Sequence, residues 1–166
     1  MTTSSIDAFV SDYPYHRDGF WLTAPGPTEC DWKLHVFADT PEDWLQVAAV
    51  VLPYCQTNRI AHKTVDSAEK LLQLAQNGMQ RGKAFTIYSG DIFQCLQNLQ
   101  TLDQLLYDAR LIKPPVTAIY GDRAFGRSGR LFYRYDKDLT GNYRLNDGSY
   151  KPQGLTDPFA HLSTGG

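Results

Sequence analysis

The segment W-K-L-H-V-F-A at residues 32–38 decides how this chain is interpreted, because its apolar and polar residues alternate. Side chains along a β-strand point to opposite faces in turn, so Leu34 and Val36 are expected on one face and Lys33 and His35 on the other. Burying a lysine and a histidine together costs desolvation free energy, and such a pair usually binds an anion or transfers protons. The alternative is an ordinary half-exposed strand, in which polar residues alternate routinely.

The composition indicates one soluble globular domain. A chain of 166 residues with 42% hydrophobic and 20% charged residues is long enough for one well-buried core and too short for two ordinary domains. The net charge of −2 provides no basic field, so nucleic acid is not expected as a partner. No segment approaches the roughly 20 consecutive apolar residues of a membrane span, so a membrane partner is not expected either.

The cysteines and the missing motifs indicate a cytoplasmic protein without a metal or another cofactor. Cys30, Cys55 and Cys95 form an odd set without C-x-x-C spacing, and no apolar N-terminal run precedes them, as expected of a reduced chain. The sequence contains no H-E-x-x-H zinc motif and neither of the usual glycine-rich nucleotide loops after a strand.

The hydrophobic periodicity predicts a regular domain between two irregular ends. Residues 1–30 are expected to form an irregular arm, residues 31–150 the domain, and residues 151–166 a C-terminal tail. Helices are predicted at about 41–54, 66–77 with Gly78 as the C-terminal cap, and 92–109 after the cap Asp91; strands are predicted at 32–38, 59–65, 84–88, 116–120, 131–136 and 142–145. This order predicts the α+β class, with about three helices and a mixed, partly antiparallel sheet.

Two further strands carry groups suited to chemistry. Lys63 shares a strand face with Ala61 and Val65, and desolvation by apolar neighbours favours the neutral amine, which accepts protons. A solvated lysine on an edge strand is the alternative. On the next strand Tyr88 lies at the end of a run that begins with Lys83 and is preceded by Arg81, which adds two cations.

A glycine-interrupted loop supplies three arginines. Arg123, Arg127 and Arg130 lie in G-D-R-A-F-G-R-S-G-R at 121–130. Arginine forks match phosphate oxygens, and the glycines allow a ligand close to the backbone. The alternative is a solvated basic turn. Together the lysine, histidine, tyrosine and arginine residues favour a small anionic ligand.

Four segments resemble the phosphothreonine lyases in order and rough spacing. They are W-K-L-H-V at 32–36, H-K-T-V at 62–65, G-K-A-F-T-I-Y at 82–88 and P-P-V-T-A-I-Y-G-D-R-A-F-G-R-S-G-R-L-F-Y-R-Y at 114–135. That group includes type III secreted effectors and, more similar in the third segment and in Y-R-Y, the N-terminal lyase domains of class III and IV lanthipeptide synthetases. The resemblance covers about residues 31–150.

The resemblance implies metal-independent β-elimination of phosphate from phosphoserine or phosphothreonine in a peptide, which leaves a dehydroamino acid. It implies that Lys63 is the base and His35 the acid, with Lys33 and Tyr88 assisting. It also implies that Arg123 holds the phosphate together with Arg127 or Arg130, and that Arg81, or Lys83 in its place, is a further phosphate-binding cation.

Several alternatives remain at this stage. In lanthipeptide-type maturation the chain would be a stand-alone lyase working with a separate Ser/Thr kinase and cyclase, or an excised domain. In the effector interpretation residues 1–30 would be a secretion arm and the substrate a phosphorylated host protein. A phosphopeptide-binding module without catalysis and a structural domain without a small ligand are the non-enzymatic alternatives, and binding alone needs no paired acid and base.

Overall fold

The computed structural model describes residues 5–10, 12–17, 19–28, 31–113, 119 and 122–135. Its elements in chain order are α1 (Asp7–Val10), β1 (His16–Arg17), β2 (Trp21–Thr23), β3 (Trp32–Phe37), α2 (Pro41–Thr57), β4 (His62–Val65), α3 (Ala68–Ala75), β5 (Lys83–Tyr88), α4 (Ile92–Asp108), β6 (Arg123–Phe125) and β7 (Leu131–Tyr135). The α+β prediction is confirmed, the elements from β3 to α4 and the strand β7 follow the predicted order, and β6 lies in a segment that was expected to be a loop. The strand predicted at 142–145 and, apart from Ile119, the one at 116–120 lie outside the described residues.

The three long helices begin where their caps predict. The Thr40 hydroxyl accepts a hydrogen bond from the Asp43 amide at the start of α2, Ser67 caps α3 in the same way, and Asp91 forms a capping box with Gln94 at the start of α4. The predicted glycine cap of α3 is wrong: the helix ends at Ala75 and Gln76 is its C-cap. No helix in the described part of the chain is long and apolar enough to cross a bilayer.

The seven strands form one sheet in the order β1-β2-β4-β5-β3-β7-β6, with every neighbouring pair antiparallel. The strand β5 lies between β3 and β4 although it follows both in the chain. The segments that carry His35 and Lys63 are therefore separated by a single strand.

The two faces of the sheet differ in character. One face carries Leu34, Val36, Phe85 and Ile87, which join apolar residues of α2, α3 and α4 in the main core. Because paired residues in antiparallel strands point to the same side, the opposite face carries the side chains of Lys33 and His35. The helices thus stabilise one face, and the charged residues lie on the other.

The segment 1–30 contains regular structure where an irregular arm was expected. The strand β2 pairs with β4, and β1 pairs with β2, so the arm extends the sheet. The Tyr15 hydroxyl lies 2.6 Å from Nε2 of the buried His62, and Gln56 of α2 donates to the same hydroxyl. Short strands of two and three residues carry too little periodicity to be read from sequence, whereas pairing with β4 is enough to order them.

Candidate active site

A row of three side chains crosses the centre of the sheet. Lys63 of β4 pairs with Thr86 of β5, and Thr86 pairs with His35 of β3. Paired residues share a face, so Lys63 and His35 point to the same side, about 10 Å apart at their α-carbons since two strand spacings separate them. The short Thr86 side chain is buried and forms the floor between the two longer ones.

A second row of polar side chains lies beside the first, towards the end of the sheet where β5 ends. Lys33 of β3 pairs with Tyr88 of β5 on one side and with Arg134 of β7 on the other. Lys33 Nζ is 5.5 Å from the centre of the Tyr88 ring. The predicted residues Lys33, His35, Lys63 and Tyr88 therefore lie together on one face.

The strand β2 completes the Lys63 side of this face. Lys63 Nζ lies 4.3 Å from the centre of the Trp21 ring, so the indole packs against the end of the lysine side chain. This contact gives the end of the lysine side chain a defined position.

His35 is held by a carboxylate that comes from a distant part of the sequence. Its Nδ1 lies 2.6 Å from Oδ2 of Asp122, whose side chain is fully buried. An Nδ1–H donated to Asp122 leaves Nε2 for the substrate side of the ring. The other oxygen, Oδ1 of Asp122, is buried without a hydrogen-bond partner among the described residues.

The surroundings of His35 set its protonation state. Burial lowers the pKa of His35 below its ordinary value of 6.5, the Asp122 carboxylate opposes that change, and the positive charges of Lys83 and Arg134 add to it. Both cations are themselves buried, at 2% and 6% exposure. An anion bound beside them would offset their charge and favour the imidazolium form.

The predicted arginine loop does not converge on this row. Arg123 lies on the short edge strand β6, where a loop was expected, and pairs with Tyr133, whose ring belongs to the core on the helical face. By the same register, Arg123 points to the helical face rather than to that of His35. Arg127 stacks on Tyr107 of α4, with its guanidinium carbon 4.2 Å from the ring centre.

Arg130 holds the fold together instead of facing the row. It donates to both carboxylate oxygens of Asp43 at 2.9 and 2.6 Å, and also to the carbonyls of Phe37 and Leu111. This buried guanidinium joins the chain before β7 to the first turn of α2. The structure thus does not bring Arg123 together with Arg127 or Arg130, the combination expected to hold the phosphate.

Of the two candidates around the start of β5, Lys83 is better placed than Arg81. Arg81 is 61% exposed in its side chain and lies 3.4 Å from Asp39. Lys83 pairs with Phe37 across an irregularity in the β3–β5 ladder, which turns it towards the His35 face. The cation that acts on His35 from this end of the sheet is therefore Lys83.

Sequence reasoning missed Asp122 and Arg134. Alternation in L-F-Y-R-Y at 131–135 puts Arg134 on the face opposite Tyr133, which is the same signal as in W-K-L-H-V. No comparable signal exists for Asp122, because its contact with His35 depends on how β7 and the preceding segment fold back against β3. Together these residues form a buried cationic site with an oriented imidazole, suited to binding an anion and transferring protons.

This fold is that of the phosphothreonine lyases. Two solved structures match it with a TM-score of 0.51 and cover 81% of this chain: one from work on the catalytic mechanism of phosphothreonine lyase (14% identity, 76% of that chain), and one of the phosphothreonine lyase SpvC, the effector protein from Salmonella (15% identity, 77% of that chain). At such low identity these matches describe the fold alone.

The family is given by the sequence itself. The model of the RamC N-terminal domain matches residues 7–159, and this chain belongs to that family. No curated protein sequence is significantly similar to the chain.

Proposed function

We propose that this protein is a phosphoserine/phosphothreonine lyase that removes phosphate from a phosphorylated peptide by metal-independent β-elimination. The observation that carries the proposal is the placement of Lys63 and His35 on one face, on either side of Thr86. An acid and a base at the two ends of a buried row suit a reaction in which one proton leaves and another is delivered. A phosphate-binding module would need only the cations.

The chemical steps follow from this arrangement. The neutral amine of Lys63 removes the α-proton, the electron pair of that C–H bond forms the Cα=Cβ double bond, and the Cβ–O bond breaks. The departing phosphate oxygen takes a proton from Nε2 of His35, while Asp122 holds Nδ1 and stabilises the imidazolium. The products are a dehydroamino acid and inorganic phosphate, and no water is consumed.

Four cationic or polar side chains are assigned to the phosphate and to the developing negative charge. Lys83 and Arg134 lower the pKa of His35 by their charge, which indicates that a dianion bound near the imidazole would interact with both. Lys33 and Tyr88, next to them in the second row, would donate further hydrogen bonds. Arg81, Arg123 and Arg127 are more exposed and are not required by this assignment.

Membership of the RamC N-terminal domain family supports peptide maturation of the lanthipeptide type as the setting. The substrate would then be a precursor peptide phosphorylated by a separate Ser/Thr kinase, and a cyclase would consume the dehydroamino acid. The effector named among the similar structures supports a second setting, in which the substrate is a phosphorylated host protein. A cytoplasmic location suits the first setting.

The test is mass spectrometry of phosphoserine and phosphothreonine peptides incubated with the protein. Loss of phosphoric acid is expected, whereas loss of the phosphoryl group alone would indicate a phosphatase, and an unchanged peptide would contradict the proposal. Lys63→Ala should abolish elimination while phosphopeptide binding stays nearly intact, because a general base acts mainly in the transition state. Lys70→Ala, on α3 and paired with Asp66, is the control that should retain activity.

A leaving-group comparison separates the two proton-transfer roles. His35→Ala should be partly rescued by a peptide whose leaving group departs without protonation, and Lys63→Ala should not. Full activity of a folded Lys63→Ala protein would mean that the base lies elsewhere. Treatment with EDTA should leave the rate unchanged.

A further inference from the structure

A cavity of about 410 Å³ lies at the end of the sheet, beyond the second row. It is bounded by the end of α2, the first turns of α4, and the points where β4 begins and β5 ends. Tyr88 belongs both to the second row and to the cavity wall, whereas α2 and α4 pack on the opposite face, so the cavity and the second row meet only at the end of the sheet. The proposed elimination uses no other residue of this cavity.

The lining mixes apolar and polar residues and has one charged side chain. Side chains of Asn58, Gln94, Gln97 and Asn98 supply amide groups, and Arg59 supplies the charge. None of the described lining residues is an aspartate or a glutamate, and Arg59 has no ion-pair partner among the described residues. The amides of Asn58 and Asn98 already donate to Tyr54 and Ser89, so a carboxylate entering the cavity would meet Arg59 and the amide donors of Gln94 and Gln97.

Arg59 occupies a backbone position that suits glycine. It follows the C-cap of α2 with a φ of 54°, and the Ile60 amide donates to the Cys55 carbonyl 2.9 Å away, as in a Schellman motif. Arg110 ends α4 in the same way, with a φ of 61° and a 3.0 Å bond from the Leu111 amide to the Leu106 carbonyl. Arg110 does not line the cavity, so the two arginines differ in their surroundings but not in their backbone conformation.

The distance from the row limits which part of a peptide reaches the cavity. Tyr88, at the end of β5, and Ala61, just before β4, are both in the wall and each two residues from the central row, a distance of about 7 Å. An extended peptide advances about 3.3 Å per residue. A peptide that runs parallel to the strands and crosses the end of β5 would therefore place a residue two positions from the one held above Thr86 at the cavity mouth.

We propose that this cavity binds the acidic side chain of a peptide residue about two positions from the phosphorylated residue, with Arg59 as its cationic partner. This inference rests on the proposed lyase function and adds a sequence preference to it. Phosphopeptides with a glutamate at this distance would be eliminated more efficiently than those with the isosteric glutamine.

The experiment scans one phosphopeptide with Glu, Gln or Lys at each of the three positions before and after the phosphorylated residue, and measures kcat/KM. Because Arg59 is exposed to solvent, one ion pair with it predicts a Glu over Gln preference of about two- to fivefold at one position. Arg59→Gly should abolish this preference while the Gln peptide reacts as with the wild type, and thermal stability should be kept because glycine suits the φ of 54°. Arg110→Gly is the matched control and should keep the preference.

The outcomes separate this inference from the proposed function. Equal rates for the Glu and Gln peptides at every position, or a preference that survives Arg59→Gly, overturn the inference and leave the lyase proposal standing. If no peptide is eliminated, the lyase proposal fails, and calorimetric binding of the same peptides to wild type and Arg59→Gly then decides whether the cavity selects a carboxylate.

Discussion

His35 Nδ1 and Asp122 Oδ2 lie 2.6 Å apart although 87 residues separate them in the chain. Asp122→Asn would remove the charge that opposes the lowering of the His35 pKa and would loosen the orientation of the ring. We expect kcat to fall on the order of 10- to 100-fold, a part of the effect typical of a general acid. This loss of kcat should be smaller for a substrate with a better leaving group. The control is Asp39→Asn, which removes a carboxylate that pairs with Arg81 and should leave kcat unchanged.

The protonation of His35 should respond to phosphate. Burial lowers the pKa of both His35 and His62, so both are expected to be largely neutral at pH 7 in the free protein. Inorganic phosphate beside Lys83 and Arg134 would stabilise the imidazolium of His35 and raise its pKa, while that of His62 stays constant. An NMR titration with and without phosphate measures the pKa of both histidines. An unchanged His35 pKa at saturating phosphate would place the anion elsewhere.

The cations that hold phosphate should be those on the His35 face. Arg134→Gln is expected to weaken phosphate binding about tenfold or more, since a charge-assisted contact is lost, and to reduce the dependence of binding on salt. Arg123→Gln, on the other face by register, should bind as the wild type does. Isothermal titration calorimetry at two salt concentrations distinguishes the two variants; a loss with Arg123→Gln alone would restore the arginine loop as the anion site.

Arg130 should contribute to stability rather than to the reaction. Arg130→Met leaves Asp43 without its bidentate partner, and we expect the free energy of unfolding to fall by about 3 kcal/mol. This loss is at the lower end of the range usual for a broken buried ion pair, because Lys113 Nζ, 3.6 Å from Asp43, still partly compensates the carboxylate charge. Urea denaturation measures the change. The control is Arg81→Met, which removes the exposed ion pair with Asp39 and should lower the free energy of unfolding by less than about 1 kcal/mol. A stable Arg130→Met protein that no longer binds phosphate would contradict this assignment.

Local sequence patterns predicted most of the helices and strands and the shared face of Lys33 and His35. Alternation placed Lys33 and His35 on the face away from the core, and the caps at Thr40 and Asp91 located two helix starts. Local patterns could not predict the strand order, because tertiary packing alone places β5 between β3 and β4. Asp122 was missed for the same reason.

The arginine loop shows why residue type is a weaker guide than register. Arg123 and Arg134 both lie in strands, but each pairs with a residue that fixes its face, Tyr133 for Arg123 and Lys33 for Arg134. Composition alone favoured the arginines at 121–130 as phosphate ligands. Strand pairing instead places Arg134, which lies outside that segment, on the face of His35. Sequence patterns identified the cations of the chain but not which of them share a face.

The pairing of β2 with β4 determines where the chain can be shortened. A protein that began at residue 31, where the regular pattern starts, would lack Trp21 and would leave β4 as the border of the sheet, with Lys63 on it. An unpaired strand border offers its amide and carbonyl groups to strands of other molecules, which leads to self-association. The strand β2 thus covers the edge of β4, and a protein shortened to residues 31–166 is expected to self-associate along the strand that carries Lys63.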